Sequence, residues 1–364
     1  MKGYLRKFQF VGLMLGVMLG IRVNGTSQVP CLFAFGDSLS DNGNNNRLPT
    51  LARANYLPYG IDFPGGPTGR FSNGKNFVDF MAELLGFGHY IPPYSEAKGE
   101  EMLSGLNYAS GSAGIREESG QQLGERITFG RQVQNHKKVV SLVVDLIGGE
   151  EAAANHLKKC IYSITIGSND YINNYFMPDA YPTSRLYTPE QYADGLIDLY
   201  GQQLNLLYNY GARKFLLSGL GTTGCAPNAL ARASPDGKTC VRSFNSVIGV
   251  FNDKLKSLID RLNNHFSHAK FVYGNTYDIF QDLLNNSSAY GFKVTKEACC
   301  GGGRNHGAMM CMPGERSCPN RNEFVFWDSY HPTEATIRIV AQRLYRSRSP
   351  SDIYPIDIST LAQL

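Results

Sequence analysis

The sequence predicts an α/β fold, with a parallel sheet covered by helices on both faces. Two observations carry this. Short apolar runs that end in glycine alternate with longer segments whose apolar residues recur at helical spacing. No internal repeat at solenoid periods competes with that reading. Of the 364 residues 42% are apolar, enough for one sizeable core, and no Pro-, Ser- or charge-rich linker divides the chain. One domain is therefore expected over residues 26–364.

Residues Cys31 to Phe35 are apolar and end in Gly36, which suits a short buried strand. Asn76 to Leu85 places Phe77, Phe80, Met81 and Leu84 at helical spacing and stops at Gly86. Cys160 to Ile166 is rich in β-branched and aromatic residues and breaks at Gly167. Thr188 opens the clearest helix: Thr188 is a suitable N-cap, Pro189 fits the first helical position, and Gln191 completes a capping box. Tyr192, Leu196, Leu199 and Leu206 supply its apolar stripe, and Gly211 ends it. Lys214 to Leu217 reads as the next strand, Phe244 to Asn264 as a helix, and Lys270 to Tyr273 as another strand.

The N-terminus, residues 1–25, has the features of a signal peptide. Lys2, Arg6 and Lys7 form a positive region, Phe8 to Ile21 is apolar, and Val23 and Gly25 are small enough for a cleavage site. The apolar run is about 14 residues, short of the roughly 20 that a spanning helix needs, so no stable membrane anchor is expected. The formal charge is +4, and removing this segment leaves equal numbers of basic and acidic residues. A neutral mature chain has no electrostatic case for binding nucleic acid or anionic membranes. Eight cysteines and overlapping glycosylation sequons at Asn285 and Asn286 agree with a secreted, extracellular destination.

Four motifs carry chemistry. The first, Phe33 to Asn46, delivers Ser38 at the carboxyl end of a buried strand, where ligands bind in open α/β sheets. A serine hydroxyl there needs a nearby base to act as nucleophile. The bland alternative is a turn in which Asp37 and Ser38 bond to backbone groups. The second, Gly105 to Gly114, is an apolar stretch ending in small residues, where Gly111 can turn its backbone N–H toward a ligand. Close packing would use the same small residues. The third, Gly167 to Tyr171, offers the Asn169 amide to a developing oxyanion, although an Asx-turn or N-cap is a commoner use of asparagine. The fourth, Trp327 to Thr333, sets Asp328 three residues before His331. That spacing brings a carboxylate against one imidazole nitrogen and leaves the other to deprotonate a serine. Pro332 restricts His331 to extended backbone. A surface turn with a helix cap at Thr333 is the alternative. Together the four supply the parts an acyl-transfer site requires. No G-x-S-x-G occurs, which removes the usual nucleophile elbow.

With these blocks in this order from about Pro30 onward, the chain resembles the plant GDSL esterase/lipases of the SGNH hydrolase superfamily. The resemblance implies a three-layer α/β/α, flavodoxin-like fold with a central parallel sheet. It implies Ser38 as nucleophile, Asp328 and His331 as acid–base partners, and an oxyanion hole of Ser38 N–H, Gly111 and Asn169. Ser112 departs from the second glycine found in many relatives. The implied reaction is hydrolysis of lipid, acyl or acetylated-carbohydrate esters through an acyl-enzyme, with no metal or organic cofactor. A secreted binding protein with little turnover is the competing reading, since fold alone does not fix function.

Cys299, Cys300, His306, Cys311 and Cys318 raise zinc as an option, but no C-x-x-C pair occurs and the expected compartment is oxidising. Local pairing suggests Cys225 with Cys240 and two bridges within 299–318. Cys31 and Cys160 remain, seven residues before Ser38 and nine before Asn169. If both strands end at one rim, their starts are neighbours, and adjacent strands about 4.8 Å apart lie close to disulfide reach. A Cys31–Cys160 bridge is expected, with two buried free thiols as the alternative. Tyr59, Phe63, Phe71, Tyr94 and Tyr175 are candidates for an apolar acyl cleft, or for ordinary loop packing. With no amphipathic lid segment, short- or medium-chain esters are expected. The tail YPIDISTLAQL is expected to dock on the core.

Overall fold

The structure, a computed structural model, describes residues 27–364, so the segment read as a signal peptide lies outside the described residues. Four parallel strands form the centre: β1 (Leu32–Gly36), β2 (Ile161–Thr165), β3 (Lys214–Ser218) and β4 (Lys270–Gly274), side by side in that order. The segment 105–110 is not a regular strand, as the motif suggested, but it lies along the outer edge of β1 in parallel. Leu106 O accepts from Ala34 N at 2.9 Å, Tyr108 N donates to Ala34 O at 2.7 Å, and Ser110 N donates to Gly36 O at 3.1 Å. Counted as an edge, it gives the chain order 2-1-3-4-5, the flavodoxin-like arrangement.

Alternation along these strands explains the three layers. Phe33, Phe35, Tyr162, Ile164, Phe215 and Phe271 face one side and pack against the helices Phe129–Ile147, Glu150–Leu157, Pro189–Asn209 and Arg242–His265. Leu32, Ala34, Ile161, Leu216 and Val272 face the other side. There they meet the helices Phe77–Leu84, Thr276–Asn285, Glu334–Tyr345 and Ile358–Gln363. A strand buried on both faces cannot show polar alternation, which is why each reads as a continuous apolar run.

The helix starts follow their caps. Thr188 forms the expected box with Gln191 ahead of Pro189–Asn209. Asn76 does the same with Asp79 ahead of Phe77–Leu84. Asp79 also holds Arg70 through two contacts of 2.7 Å in a buried ion pair.

One feature modifies the all-parallel expectation, and a small parallel sheet stands apart from the main one. The tail adds a short strand, Ile353–Tyr354, antiparallel to β4, and then a helix whose Ile358, Leu361 and Ala362 are buried. Lys214 Nζ caps that helix by donating to Ala362 O at 3.0 Å. The tail therefore docks on the core and also covers a sheet edge. A separate two-stranded sheet, Val294–Ala298 with Phe324–Phe326, precedes the fourth motif.

All eight cysteines are paired: Cys31–Cys160, Cys225–Cys240, Cys299–Cys318 and Cys300–Cys311. The expected bridge across the starts of β1 and β2 forms at a Cα–Cα distance of 4.7 Å. The cysteines considered for zinc are thus committed to disulfides. Asn285 and Asn286 are exposed at the end of the helix Thr276–Asn285. Among the described residues, no helix is long and apolar enough to cross a membrane.

The Cys31–Cys160 bridge closes a 129-residue separation. The double variant Cys31→Ala/Cys160→Ala is expected to lose about 2–5 kcal/mol of stability in denaturant titration. Non-reducing peptide mapping should recover the four pairs above, and a free thiol at either position would exclude this bridge.

Candidate active site

β1 and β2 end level with one another, and Asp37 N donates to Thr165 O at 3.2 Å. Gly36, the last residue of β1, has φ of +155°, and a Cβ there would lie 2.3 Å from Thr165 O. Only glycine allows this close exit from the strand. Ser38 follows two residues later at the sheet's carboxyl edge.

From the far end of the sequence, His331 Nε2 lies 2.7 Å from Ser38 Oγ. Its Nδ1 lies 2.8 Å from both oxygens of Asp328. The turn Asp328–His331 is fixed by its own backbone: Asp328 Oδ1 accepts from Tyr330 N at 2.9 Å and from His331 N at 2.8 Å. Thr333 then caps the helix Glu334–Tyr345, so the turn-and-cap alternative and the acid–base pair coexist in one segment. Burial works to raise the Asp328 pKa, but the His331 charge and donors from His331, Tyr59 and Tyr330 outweigh it, and the pKa is lowered.

Tyr59 was placed among acyl-cleft candidates and has a different position. Its hydroxyl donates to Asp328 Oδ2 at 2.6 Å. Phe71 packs on the His331 ring at 5.1 Å between centroids. Phe63 lies under Arg70, Tyr94 beside Tyr108, and the Tyr175 hydroxyl donates to Tyr187 O. None of the five lines the cavity at Ser38. Each instead meets a polar or aromatic partner elsewhere.

Asn169 adopts neither an Asx-turn nor a cap. Its Oδ1 accepts from Asn173 Nδ2 at 2.6 Å, and its Nδ2 donates to Ala113 O at 3.0 Å, leaving one amide hydrogen free of that contact. Ser38 N–H has no acceptor among the described residues. Gly111 differs from expectation. Its N–H donates to Asp41 Oδ2 at 2.8 Å, and a Cβ there would meet Phe71 and Asn45 at 2.7 and 2.8 Å. Its lack of a side chain serves packing, and its N–H is already engaged.

The asparagine-rich run after Ser38 ties the surrounding loops together. Asn44 Nδ2 donates to Asn107 O and Ala109 O, and Asn45 Nδ2 donates to Ala52 O and Gly111 O. Asp170, next to Asn169, accepts from Ile115 N, Arg116 N and Ser119 Oγ. Sequence reasoning missed Asp41 and Asp170. Their position inside motifs one and three was the available signal.

A cavity of about 520 Å³ opens at Ser38 and His331. Phe77, Phe280, Ile337 and Val340 line it from one helical layer, and Leu220, Phe176 and Phe244 from the other. Met310, on the loop closed by Cys300–Cys311, contributes to the wall.

The chain matches the family described as GDSL-like Lipase/Acylhydrolase over residues 32–344. Two GDSL esterase/lipases of Arabidopsis thaliana are each 59% identical to it, with 100% of both chains covered. The chain belongs to the GDSL-like lipase/acylhydrolase family. The ester-hydrolysing family indicated by the four motifs is therefore the family found, and the relatives are plant proteins. A solved α/β hydrolase from the metagenome of Lake Arreo, Spain, covers 87% of this GDSL chain and 94% of its own, at 14% identity and a TM-score of 0.39.

Two tests follow from the polar contacts of this GDSL site. Tyr59→Phe removes the hydroxyl donor to Asp328 Oδ2, leaving it His331 Nδ1, and is expected to cost about 1.5–3 kcal/mol in denaturant titration. The second concerns pH. Burial raises Asp37 from 3.8 to about 7, and Asp41 and Asp170 to about 6. The folded chain holds these protons where the unfolded chain has released them, so all three add stability as pH falls from 8 toward 4. His136 opposes them, because burial lowers it from 6.5 to about 3 and stability is lost as pH falls below 6.5. Asp328 is ionised in both states above about pH 5 and is silent there. With three groups against one, the thermal midpoint should be higher at pH 5.5 than at pH 8. A lower midpoint at pH 5.5 contradicts the balance.

Proposed function

We propose that this protein is a secreted serine esterase that cleaves carboxylic esters through an acyl-enzyme on Ser38. The observation that carries the reading is the continuous chain of contacts from Asp328 through His331 to Ser38, each within hydrogen-bond distance. His331 Nε2 takes the Ser38 proton as Oγ attacks the ester carbonyl. His331 then gives that proton to the departing alcohol. Water attacks the acyl-enzyme with His331 again as base, and the carboxylic acid leaves as Ser38 recovers its proton. Asp328 stabilises the imidazolium in both halves. Ser38 N–H and the Asn169 amide are the donors available to the oxyanion. Export follows from the N-terminal pattern of residues 1–25, four disulfides agree with it, and Asn285 and Asn286 are accessible for glycosylation.

The cavity favours esters with an apolar acyl chain over acetylated carbohydrate. Its walls are largely apolar, and its size is within the ~300–1,000 Å³ of small-molecule sites. An acetyl group would leave most of that surface uncovered. Because both helical layers contribute, the ester group sits between two apolar regions with Ser38 at the sheet edge between them.

Three measurements test this. An organophosphate serine probe should label the wild type and not Ser38→Ala; unchanged labelling removes the catalytic assignment. Asn169→Ala should lower kcat by about 10²–10³-fold with a smaller effect on KM. Across a series of p-nitrophenyl esters, kcat/KM should rise from acetate to medium chains, and Val340→Trp should move the optimum to shorter chains. A preference for acetylated polysaccharide would overturn the substrate class.

A further inference from the structure

We propose that the cavity takes esters whose alcohol portion carries an anionic group, a carboxylate or a phosphate, and that Arg232 at its mouth is the residue that reads this charge. The proposal rests on the acyl-transfer reading above and names the half of the substrate which that reading leaves open.

Asp37, His331 and Arg232 are the acidic and basic residues that line the cavity. The first two belong to the reacting centre: Asp37 is buried beside Ser38, and His331 Nε2 lies 2.7 Å from Ser38 Oγ. Arg232 is exposed and belongs to the wall formed by the helix Pro227–Ala233. The Cys225–Cys240 bridge anchors the chain just before that helix. Asn228 N donates to Ser329 O at 3.0 Å, and Asn228 Nδ2 donates to Gly307 O at 3.0 Å. The helix is thereby pinned against the turn that carries His331. Arg232 follows Asn228 by four residues and shares its face. Tyr330, next to His331, registers this neighbour: burial raises its pKa, and the Arg232 charge is the largest influence acting the other way.

The guanidinium has no internal use. Arg70, Arg116, Arg321 and Arg343 each hold a carboxylate, whereas Arg232 has no hydrogen-bond or ion-pair partner among the described residues. Asp236, four residues further on, is already occupied. Its Oδ1 accepts from Ser234 Oγ, Lys238 N and Thr239 N, and its Oδ2 accepts from Thr239 Oγ1. A cation therefore stands at the cavity without a counter-ion from the protein. From the segment just before the helix, Thr222 and Thr223 also line the cavity, with hydroxyls that lack partners among the described residues. They can bond the polar atoms of an alcohol.

The chemistry decides which half of the ester faces this wall. His331 must give its proton to the leaving alcohol oxygen, so the alcohol lies on the imidazole's side of the ester carbon. The helix Pro227–Ala233 flanks that side through Ser329 and Tyr330. The alcohol extends toward Arg232, and the acyl chain is left to the apolar walls. A guanidinium pairs a carboxylate or a phosphate through two parallel hydrogen bonds, so either anion fits.

The test compares octanoyl esters of glycerol, glycerol 3-phosphate and glyceric acid. The acyl chain is constant, so ratios between them isolate the alcohol. Wild type should give a kcat/KM about three- to tenfold higher for at least one anionic ester than for octanoylglycerol, expressed mainly in KM. The ester that shows the preference names the anion. Raising NaCl from about 50 to about 500 mM should shrink the preference, because the cation is exposed. R232Q should erase it, R232E should invert it, and R232K, which lacks the planar fork, should keep part of it. Each ratio is taken on one protein, so a loss of folded enzyme cancels. A wild type without preference for either anion, or a preference that R232Q leaves intact, overturns the assignment. The two levels of argument fail separately. Octanoylglycerol hydrolysis that requires Ser38, with no anion preference, defeats only the role of Arg232. Hydrolysis that survives Ser38→Ala defeats the acyl-transfer reading itself.

Discussion

The site depends on the level at which three parallel segments end. Asp37 N on Thr165 O joins the ends of β1 and β2, and Ser110 N on Gly36 O joins β1 to its outer neighbour. Because all three run the same way, their carboxyl ends share one edge, and there the chain passes into Ser38, the loop with Asn169, and the turn at 111–112. A one-residue slip in either pairing would turn every side chain of that strand to the opposite layer. The alternation of Phe33 and Phe35 against Leu32 and Ala34, packed into different helical layers, prevents such a slip. Packing in the body of the fold thus sets the positions of groups at its rim.

At that edge the protein concentrates charge that it keeps from water. Asp37, Asp41 and Asp170 are buried within the motifs that carry Ser38 and Asn169, and burial raises the pKa of all three. Asp41 and Asp170 accept several hydrogen bonds each, and Gly111, Ile115 and Arg116 of the loop 111–116 are among their donors. The loop is therefore clamped from two sides by carboxylates. Asp37 differs, with Leu39 N on one oxygen and no partner on the other. Asp328 is lowered where these are raised, because the His331 charge and three kinds of donor converge on it. Environment alone separates four buried aspartates into one committed anion and three that share protons near neutrality.

The elements most legible in the sequence are those whose signal is local. The capping box at Thr188 and Gln191, the apolar runs of the four strands, and the D-x-x-H spacing all act within a few residues, and each maps onto the structure within a residue or two. The Cys31–Cys160 bridge was legible because strand spacing turns a sequence offset into a distance. What was not legible depends on contacts across the chain. Tyr59 meets Asp328 across 269 residues, and no local pattern distinguishes it from Phe63 or Tyr94. Three of the cavity's aromatics, Phe77, Phe280 and Phe244, come from three different helices, and no local pattern shows that these meet. Gly111 makes a related point: a glycine licenses an unusual N–H direction, but the partner which that N–H takes in the structure, Asp41, is 70 positions away. The tail strand at Ile353 is two residues long, too short for any periodicity to show.

Buried polar groups without partners occur in several parts of the described residues, some of them beside Ser38. Ser38 N–H, Ser112 N–H, the Ser112 hydroxyl and one oxygen of Asp37 all lie in the first two motif loops, without partners among the described residues. A loop with so many unpaired groups would ordinarily rearrange until they found acceptors. Here it is denied that freedom by Asn44 and Asn45 from one side, Asp170 from another, and Gln132, which both donates to and accepts from Gly36. The neighbouring backbone is over-determined so that a few donors stay unpaired. In the reaction proposed above, a tetrahedral oxyanion, which forms only during reaction, would be an acceptor for Ser38 N–H. Stabilisation present only at that moment speeds the chemical step, whereas a donor already paired in the resting state would give part of its energy away.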